Sequence, residues 1–304
     1  LAFVDEDFMP YLGELSALAA AFLWSGTVVL LEETGRRIGA LVNNTARLLM
    51  GLALLCLTLW LQKGTLLPLH ADQDQMIWLG LSGIVGLAIG DGALMIALLI
   101  IGSRRSTLLL SLAPPITTVL AWILLNESLP WLAVGGIAIT IGGIFWVVTE
   151  SNAAEPIRGS RTKGILLGIA AAVGQALGTI LVRFGFRSEI DALSATILRM
   201  IPAVVVMLLV VILQGKIRDL WQVLKRRRLL IAMIVASIGG PFLGVWLSIV
   251  AVKYTEAGIA STLLATVPVM VIPVIFFVYR IRPSWRAIIG TIITMVGIAM
   301  IFLR

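Results

Sequence analysis

One cysteine, Cys56, and one histidine, His70, are all that this chain of 304 residues holds of the two side chains that most often bind transition metals. A lone cysteine cannot close a disulfide within the chain, and one of each cannot build a metal cluster. Cys56 lies in an apolar run and reads as packing, while His70 lies in a polar loop with no evident role. Charge is scarce as well. Asp, Glu, Lys and Arg make up 13% of the chain, against about 25% in a soluble domain. With 60% apolar residues and a mean hydropathy of +1.06, there is too little polar surface to wrap a globule in water. The chain reads as an integral membrane protein. The net charge of +7 does not point to nucleic acid, because the basic residues sit at the ends of apolar runs, where membrane topology accounts for them.

Other absences exclude chemistry. No glycine-rich loop precedes a Lys-Ser/Thr pair, so ATP is not expected as an energy source. No Asp-x-x-Asp cluster is present to hold magnesium-bound diphosphate. Ala88 stands where an intramembrane aspartyl protease would need its first glycine before Gly90-Asp91. The expectation is a protein without cofactor or metal, and not an enzyme. Asp5-Glu6-Asp7 precedes the first apolar run, the opposite of the basic start of a cleavable signal peptide.

What is present is a set of apolar runs long enough to cross a bilayer as helices, about 20 residues each. Ten candidate spans result: 12–31, 39–62, 76–101, 106–125, 131–149, 164–182, 193–213, 229–252, 257–278 and 285–303. The runs are continuous and lack period-two alternation, which excludes a β-barrel. Short polar breaks separate them, among them 32–37, 126–130 and 282–284.

The sequence also repeats itself. Ala19-Ala20-Ala21 falls on Ala170-Ala171-Ala172, Gly26-Thr27 on Gly178-Thr179, Arg47 on Arg199, and Leu61-Gln62 on Leu213-Gln214. Pro115 meets Pro268, and Gly143 meets Gly297. The one long polar connection near the middle, 150–163, follows span five. Two units are expected, 11–149 and 164–304, joined by that linker. An odd number of spans per unit inserts the second copy upside down, which is inverted-repeat architecture. The expected fold is an all-α membrane protein, with ten transmembrane helices in two inverted five-helix repeats around a central cavity. Sixteen lysines and arginines fall on the connections after odd-numbered spans and five on the opposite side, so the positive-inside rule places both termini outside.

Ala19-Ala20-Ala21-Phe22-Leu23-Trp24-Ser25-Gly26 in span one, Ala46-Arg47-Leu48-Leu49 in span two, and Leu112-Ala113-Pro114 through Asn126-Glu127-Ser128 to Gly135-Gly136 and Gly142-Gly143 occur in a characteristic order. In these features the chain resembles the drug/metabolite transporter superfamily, specifically its ten-span EamA-like members. The second copy differs, with Arg280 in the place of Glu127 and Gln175 or Ala176 in that of Trp24. The resemblance implies a secondary transporter that exports or exchanges small amphipathic metabolites such as amino acids by alternating access. It also implies a central cavity lined by spans one, three and four with six, eight and nine. A bacterial inner membrane is the expected location. Cytoplasmic termini would be usual for the family, in conflict with the charge count.

Several polar positions have two readings each. Asp91, the only carboxylate near the middle of a span, is a proton carrier or a seat for a substrate amine, or else a buried hydrogen-bonding group between helices. Arg47 and Arg199 form a clamp for an anionic group, or snorkel toward the membrane surface. Asn43 and Asn44 lie one turn before Arg47 on its face. Trp24, Ser25, Thr27, Ser111, Gln175, Thr179, Trp246, Ser248 and Thr262 are candidates to line a substrate cavity, or are helix-packing residues. Pro114, Pro115, Pro241, Pro268 and Pro273 interrupt spans four, eight and nine, as gating bends or static kinks. Glu127 reads as a turn residue. The expected partners are a small-molecule substrate and membrane lipids, with protons as a candidate coupling ion. The oligomeric state stays open, a monomer being compatible. Two rival functions also stay open, a lipid-linked-sugar flippase and a non-transporting membrane scaffold.

Overall fold

The computed structural model describes residues 11–68, 71–125, 130–148, 157–186, 190–254, 263–280 and 284–302. Among these residues every regular element is helical. The candidate residue Thr262, Glu127, His70 and residues 150–156 of the linker lie outside the described residues.

The first unit opens with α1 (Leu12–Ile38) and α2 (Ala40–Lys63). The charged stretch 32–37, read above as a break, is helical. Glu32 pairs with Arg36 and Glu33 with Arg37, each one turn apart, so the charges support the helix instead of ending it. The helix stops at Gly39, whose φ of 81° is open to glycine and strained for other residues. Helix α3 (Gln73–Ile101) starts at a capping box, Asp72 with Gln75, and ends at Gly102 with φ 84°. A π-helical turn, Ile84–Gly90, lies in its middle. Helix α4 comes in two pieces, Ser103–Leu110 and Ala113–Leu125. Pro114 and Pro115 occupy the first turn of the second piece, where a missing N–H costs nothing. The chain therefore restarts there and does not bend through an unbroken span. Arg104 and Arg105, read above as connection residues, are buried in the first piece at 6% and 1% exposure. Without them the side richer in basic residues still carries the excess. Helix α5 (Trp131–Val148) closes this unit.

The second unit follows the same order. Helix α6 (Arg161–Gly185), capped by Ser160, starts three residues earlier than the expected boundary, and α7 (Ala192–Leu213) is capped by Asp191. A short amphipathic helix, α8 (Ile217–Lys225), precedes α9 (227–254), which carries its own π-helical turn at Ile238–Phe242, around Pro241. Helices α10 (Val267–Tyr279) and α11 (Trp285–Phe302) follow. Pro268 lies in the first turn of α10 and Pro273 in its interior. Among the described residues seven helices are long and apolar enough to cross a membrane by length and composition: α1, α2, α3, α4, α6, α7 and α9. Helices α5 and α11 are apolar but shorter.

The units interlock by exchange. Helix α1 packs on α9, and α6 packs on α3 and α4. Glycine makes these approaches possible. A Cβ added at Gly174 would lie 2.8 Å from the Cα of Gly90, and one at Gly178 would lie 3.2 Å from the Cα of Gly86. Ser82 Oγ donates to the Gly178 carbonyl at 2.8 Å across the same seam. Small residues let helix backbones close in lipid, where packing replaces the hydrophobic drive. Helices α5 and α11 meet the same way, with Gly143 against Thr294 and Gly297 against Thr140. Among the described residues the largest apolar cluster joins Leu48, Leu55 and Leu59 of α2 to Leu87 of the first π turn and Ile197, Met200 and Ala203 of α7, with Cys56 and Trp246 at its edge.

At one end of the bundle Lys63 of α2 reaches Asp191 at 2.5 Å. Burial pushes the Asp191 carboxyl up. The Lys63 contact and the hydrogen bonds from Ser194 outweigh this and hold it below its ordinary value. A lowered folded-state pKa gives stability that is full above the unfolded value of about 3.9 and is lost as pH falls through the folded value. Asn at 191 keeps the cap but not the pair. Asp191→Asn is therefore expected to melt below the wild type at pH 7 and by a smaller margin near pH 3. An equal gap at both pH values would contradict the assignment.

Candidate functional site

The two π turns place the site. A π turn inserts an extra residue into a helix and is often found where function requires an altered side-chain direction. Asp91 directly follows the first π turn and is 7% exposed. Its Oδ2 receives Nη2 of Arg47 from α2 in a buried ion pair. Its Oδ1 receives Nε2 of Gln175 from α6 at 2.5 Å. Gln175 Nε2 also lies 3.3 Å from the Gly86 carbonyl, an acceptor that the π turn leaves within reach. One side chain of the first unit, Arg47, and one of the second, Gln175, thus meet on the Asp91 carboxylate.

Arg47 is held from behind. Its Nε donates to Asn44 Oδ1 at 2.8 Å, and Asn44 Nδ2 donates to the Leu87 carbonyl at 3.2 Å. Asn43 Nδ2 donates to the Leu31 carbonyl at 2.8 Å, and its Oδ1 accepts from Thr34 at 2.9 Å. The asparagines that share the face of Arg47 therefore tie α2 to α1 and α3. Arg47 does not snorkel to the surface; it turns inward to Asp91.

Arg199, the repeat partner of Arg47, is 7% exposed on α7. Its backbone carbonyl lies against Gly83, and its Nη2 lies 3.7 Å from where a Cβ at Gly86 would be. Asp91 is the opposite charge that acts on it. Formally, two buried cations share one buried anion.

The second π turn makes a matching contact with α1. Trp24 Nε1 and Cδ1 occupy the space a Cβ at Gly244 would take, and Thr27 abuts Gly239 and Gly240. Arg47 Nη1 lies 3.8 Å from the Cβ position of Gly240, so the same guanidinium touches both crossings. Trp24 and Trp246 are half-buried, and Trp246 stacks at a tilt on Phe242, 6.1 Å between ring centres.

The hydroxyl candidates are less committed to a site. Ser25 donates to the Phe22 carbonyl, Thr27 to Leu23, Thr179 to Gln175 and Ser248 to Val245, each on its own helix. Ser111, in the break of α4, donates to the Thr107 carbonyl at 3.4 Å. Sequence reasoning missed Glu32, buried at 2%, which accepts from the Ser103 backbone at 2.9 Å and from Arg36. It also missed Pro202 inside α7, which packs on Gly80. The glycines at 80, 83, 86 and 90 were a visible sign of a close crossing.

The EamA-like transporter family matches the chain twice, over residues 11–149 and 162–303. The chain belongs to the EamA-like transporter family. It is thereby a member of the drug/metabolite transporter superfamily, an integral membrane protein of a family of transporters, not enzymes. The double match falls on the two units whose helices exchange around Asp91. A solved structure described as "Crystal structure of protein" is similar at a TM-score of 0.67 over 95% of each chain, with 18% identity, a likeness of fold alone. Among curated proteins none matches. Within the family frame, the Arg47–Asp91–Gln175 cluster is the feature of this chain with the most chemistry, since ionisable groups amid apolar helices are costly, about 2.5–3.5 kcal/mol each at a span centre on insertion scales.

Proposed function

We propose that this EamA-like chain is a secondary transporter of small amphipathic metabolites such as amino acids, with ten spans in two inverted five-helix repeats that rock against each other. The units of the proposal are 11–149 and 164–304, joined by 150–163. The observation that carries it is the bond from Gln175 of one unit to Asp91 of the other, shared with Arg47. A polar contact between units, deep among apolar helices, is what a moving interface around a substrate site requires, because both partners need somewhere else to bond when the interface opens. Trp24 and Trp246, half-buried beside the two crossings, supply amphipathic walls. Asp91 has an arginine partner, so the proposal gives it the role of positioning Arg47 and not that of a lone proton carrier.

The test is uptake by liposomes containing the purified protein. A panel of labelled amino acids is presented, with protein-free liposomes as the reference. Saturable uptake of at least one compound, accelerated by the same unlabelled compound on the other side, is expected. Uptake at the protein-free rate across the panel would favour the scaffold reading.

A further inference from the structure

Helix α8 (Ile217–Lys225) has no counterpart among the described residues of the first unit. The connection from α2 to α3, residues 64–72, holds no lysine or arginine. The stretch 216–228 holds six, Lys216, Arg218 and the run Lys225-Arg226-Arg227-Arg228, with Asp219 as its one acid and a net charge of +5. All six cations are exposed. Among the described residues none of them forms an ion pair, and Arg226 donates to Gln222 Oε1 one turn back at 3.4 Å. A charge surplus of this size on one short segment calls for anions outside the chain.

At 3.6 residues per turn, the residues of α8 divide into three faces. Leu220 and Val223 turn to the bundle, in one apolar cluster with Val42 of α2 and Met233 of α9. Beside them runs a strip of Ile217, Trp221 and Leu224, spaced i, i+4 and i+7. All three are exposed, Trp221 at 61%. Arg218 and Lys225 border this strip on the side away from the bundle, and Gln222 and Asp219 complete the circle. The helix joins α7 to α9, both long and apolar enough to cross a membrane, so it lies at the level of a bilayer surface. A helix with an apolar strip, a tryptophan in it and cations along its edge suits the boundary between headgroups and acyl chains.

We propose that α8 is an interfacial anchor for anionic phospholipid. Ile217, Trp221 and Leu224 enter the headgroup–acyl boundary, and the cations around them hold negatively charged headgroups. Charge sets the class of lipid. A zwitterionic headgroup brings its own cation and leaves the surplus uncompensated, whereas an anionic one neutralises it. The anchor ties the ends of α7 and α9 to one leaflet, and it does so whatever compound the protein carries.

The test places the purified protein in nanodiscs of phosphatidylcholine with and without phosphatidylglycerol. In a Cys56→Ala background a nitroxide is attached at Leu224→Cys or, as the water-facing control, at Gln222→Cys. Oxygen, which concentrates in lipid, is expected to reach the label at 224 best, and a water-soluble nickel chelate the label at 222. Equal access of the chelate to both positions in discs with the anionic lipid overturns the anchor. Spin-labelled phosphatidylglycerol and phosphatidylcholine are then compared as lipids immobilised by the protein. Cys56→Ala alone is expected to prefer the anionic lipid by about fivefold or more, the worth of one lysine or arginine near an anionic surface. Replacing Lys225, Arg226, Arg227 and Arg228 together by Gln is expected to remove most of that preference. The smaller change, Arg218→Gln with Lys225→Gln, is expected to remove part of it and serves if the fourfold change impairs folding. An unchanged preference in a folded variant overturns the proposal. Displacement of the anionic lipid by millimolar inorganic phosphate also overturns it, because the cluster would then be a site for a soluble anion.

Discussion

Asp91→Ala is expected to abolish transport and to lower the stability of the purified protein by about 3–5 kcal/mol, the cost of breaking a buried ion pair from one side. The loss arises because Arg47 stays buried with its Nη2 unpartnered and Gln175 loses an acceptor. The second substitution decides the cause. Arg47→Met together with Asp91→Ala removes both charges, and an apolar replacement of a whole buried pair is often close to neutral. The double variant is therefore expected to melt well above Asp91→Ala while remaining inactive. Melting in detergent, arranged as a double-mutant cycle, reads the coupling directly. Additive losses would mean that the two side chains do not depend on each other in the folded protein.

Gly83→Ala is expected to cost about 3 kcal/mol, at the upper end for overpacking, and to suppress transport as well. A Cβ at Gly83 would lie 2.6 Å from the Arg199 carbonyl carbon and closer still to its oxygen. Backbone cannot swing aside as a side chain can, so α3 and α7 must separate and Arg199 moves with them. Gly92→Ala, nine residues along the same helix, is the control. Nothing lies within 4 Å of its Cβ position, and alanine is favoured over glycine in a helix by about 1 kcal/mol. The same chemical change should therefore damage one site and spare the other. Equal melting of the two variants would remove the close crossing from the account.

Asp91, Arg47 and Arg199 were visible in the sequence because ionisable residues amid apolar runs are conspicuous, and the arginines are duplicated. Their relation to one another was not visible. Hydropathy marks which residues lie in helices but not which helices touch, and here α1 and α6 change units to pack on α9 and α3. The two π turns lie inside uninterrupted apolar runs, where a change in hydrogen-bond register leaves no mark on composition. The run of charges at 32–37 was misread because polarity alone marks a loop. The four-residue spacing from Glu32 to Arg36 and from Glu33 to Arg37 carried the opposite message. Arg104 and Arg105 gave no such sign; their burial follows from how α4 packs against α6 and the neighbouring helices. The prolines of α4 and α10 were read as interruptions, and three of the four, Pro114, Pro115 and Pro268, begin helical pieces, which depends on where a helix starts and not on the proline itself.

The central claim is that this EamA-like chain moves a small molecule through the interface at which Gln175 meets Asp91. Uptake into proteoliposomes tests it most directly. The account predicts saturable, counterflow-stimulated uptake of at least one amino acid by wild type, and none by Asp91→Ala reconstituted to the same density. Wild-type uptake no faster than that of protein-free liposomes for every compound, or undiminished uptake by Asp91→Ala, would contradict it.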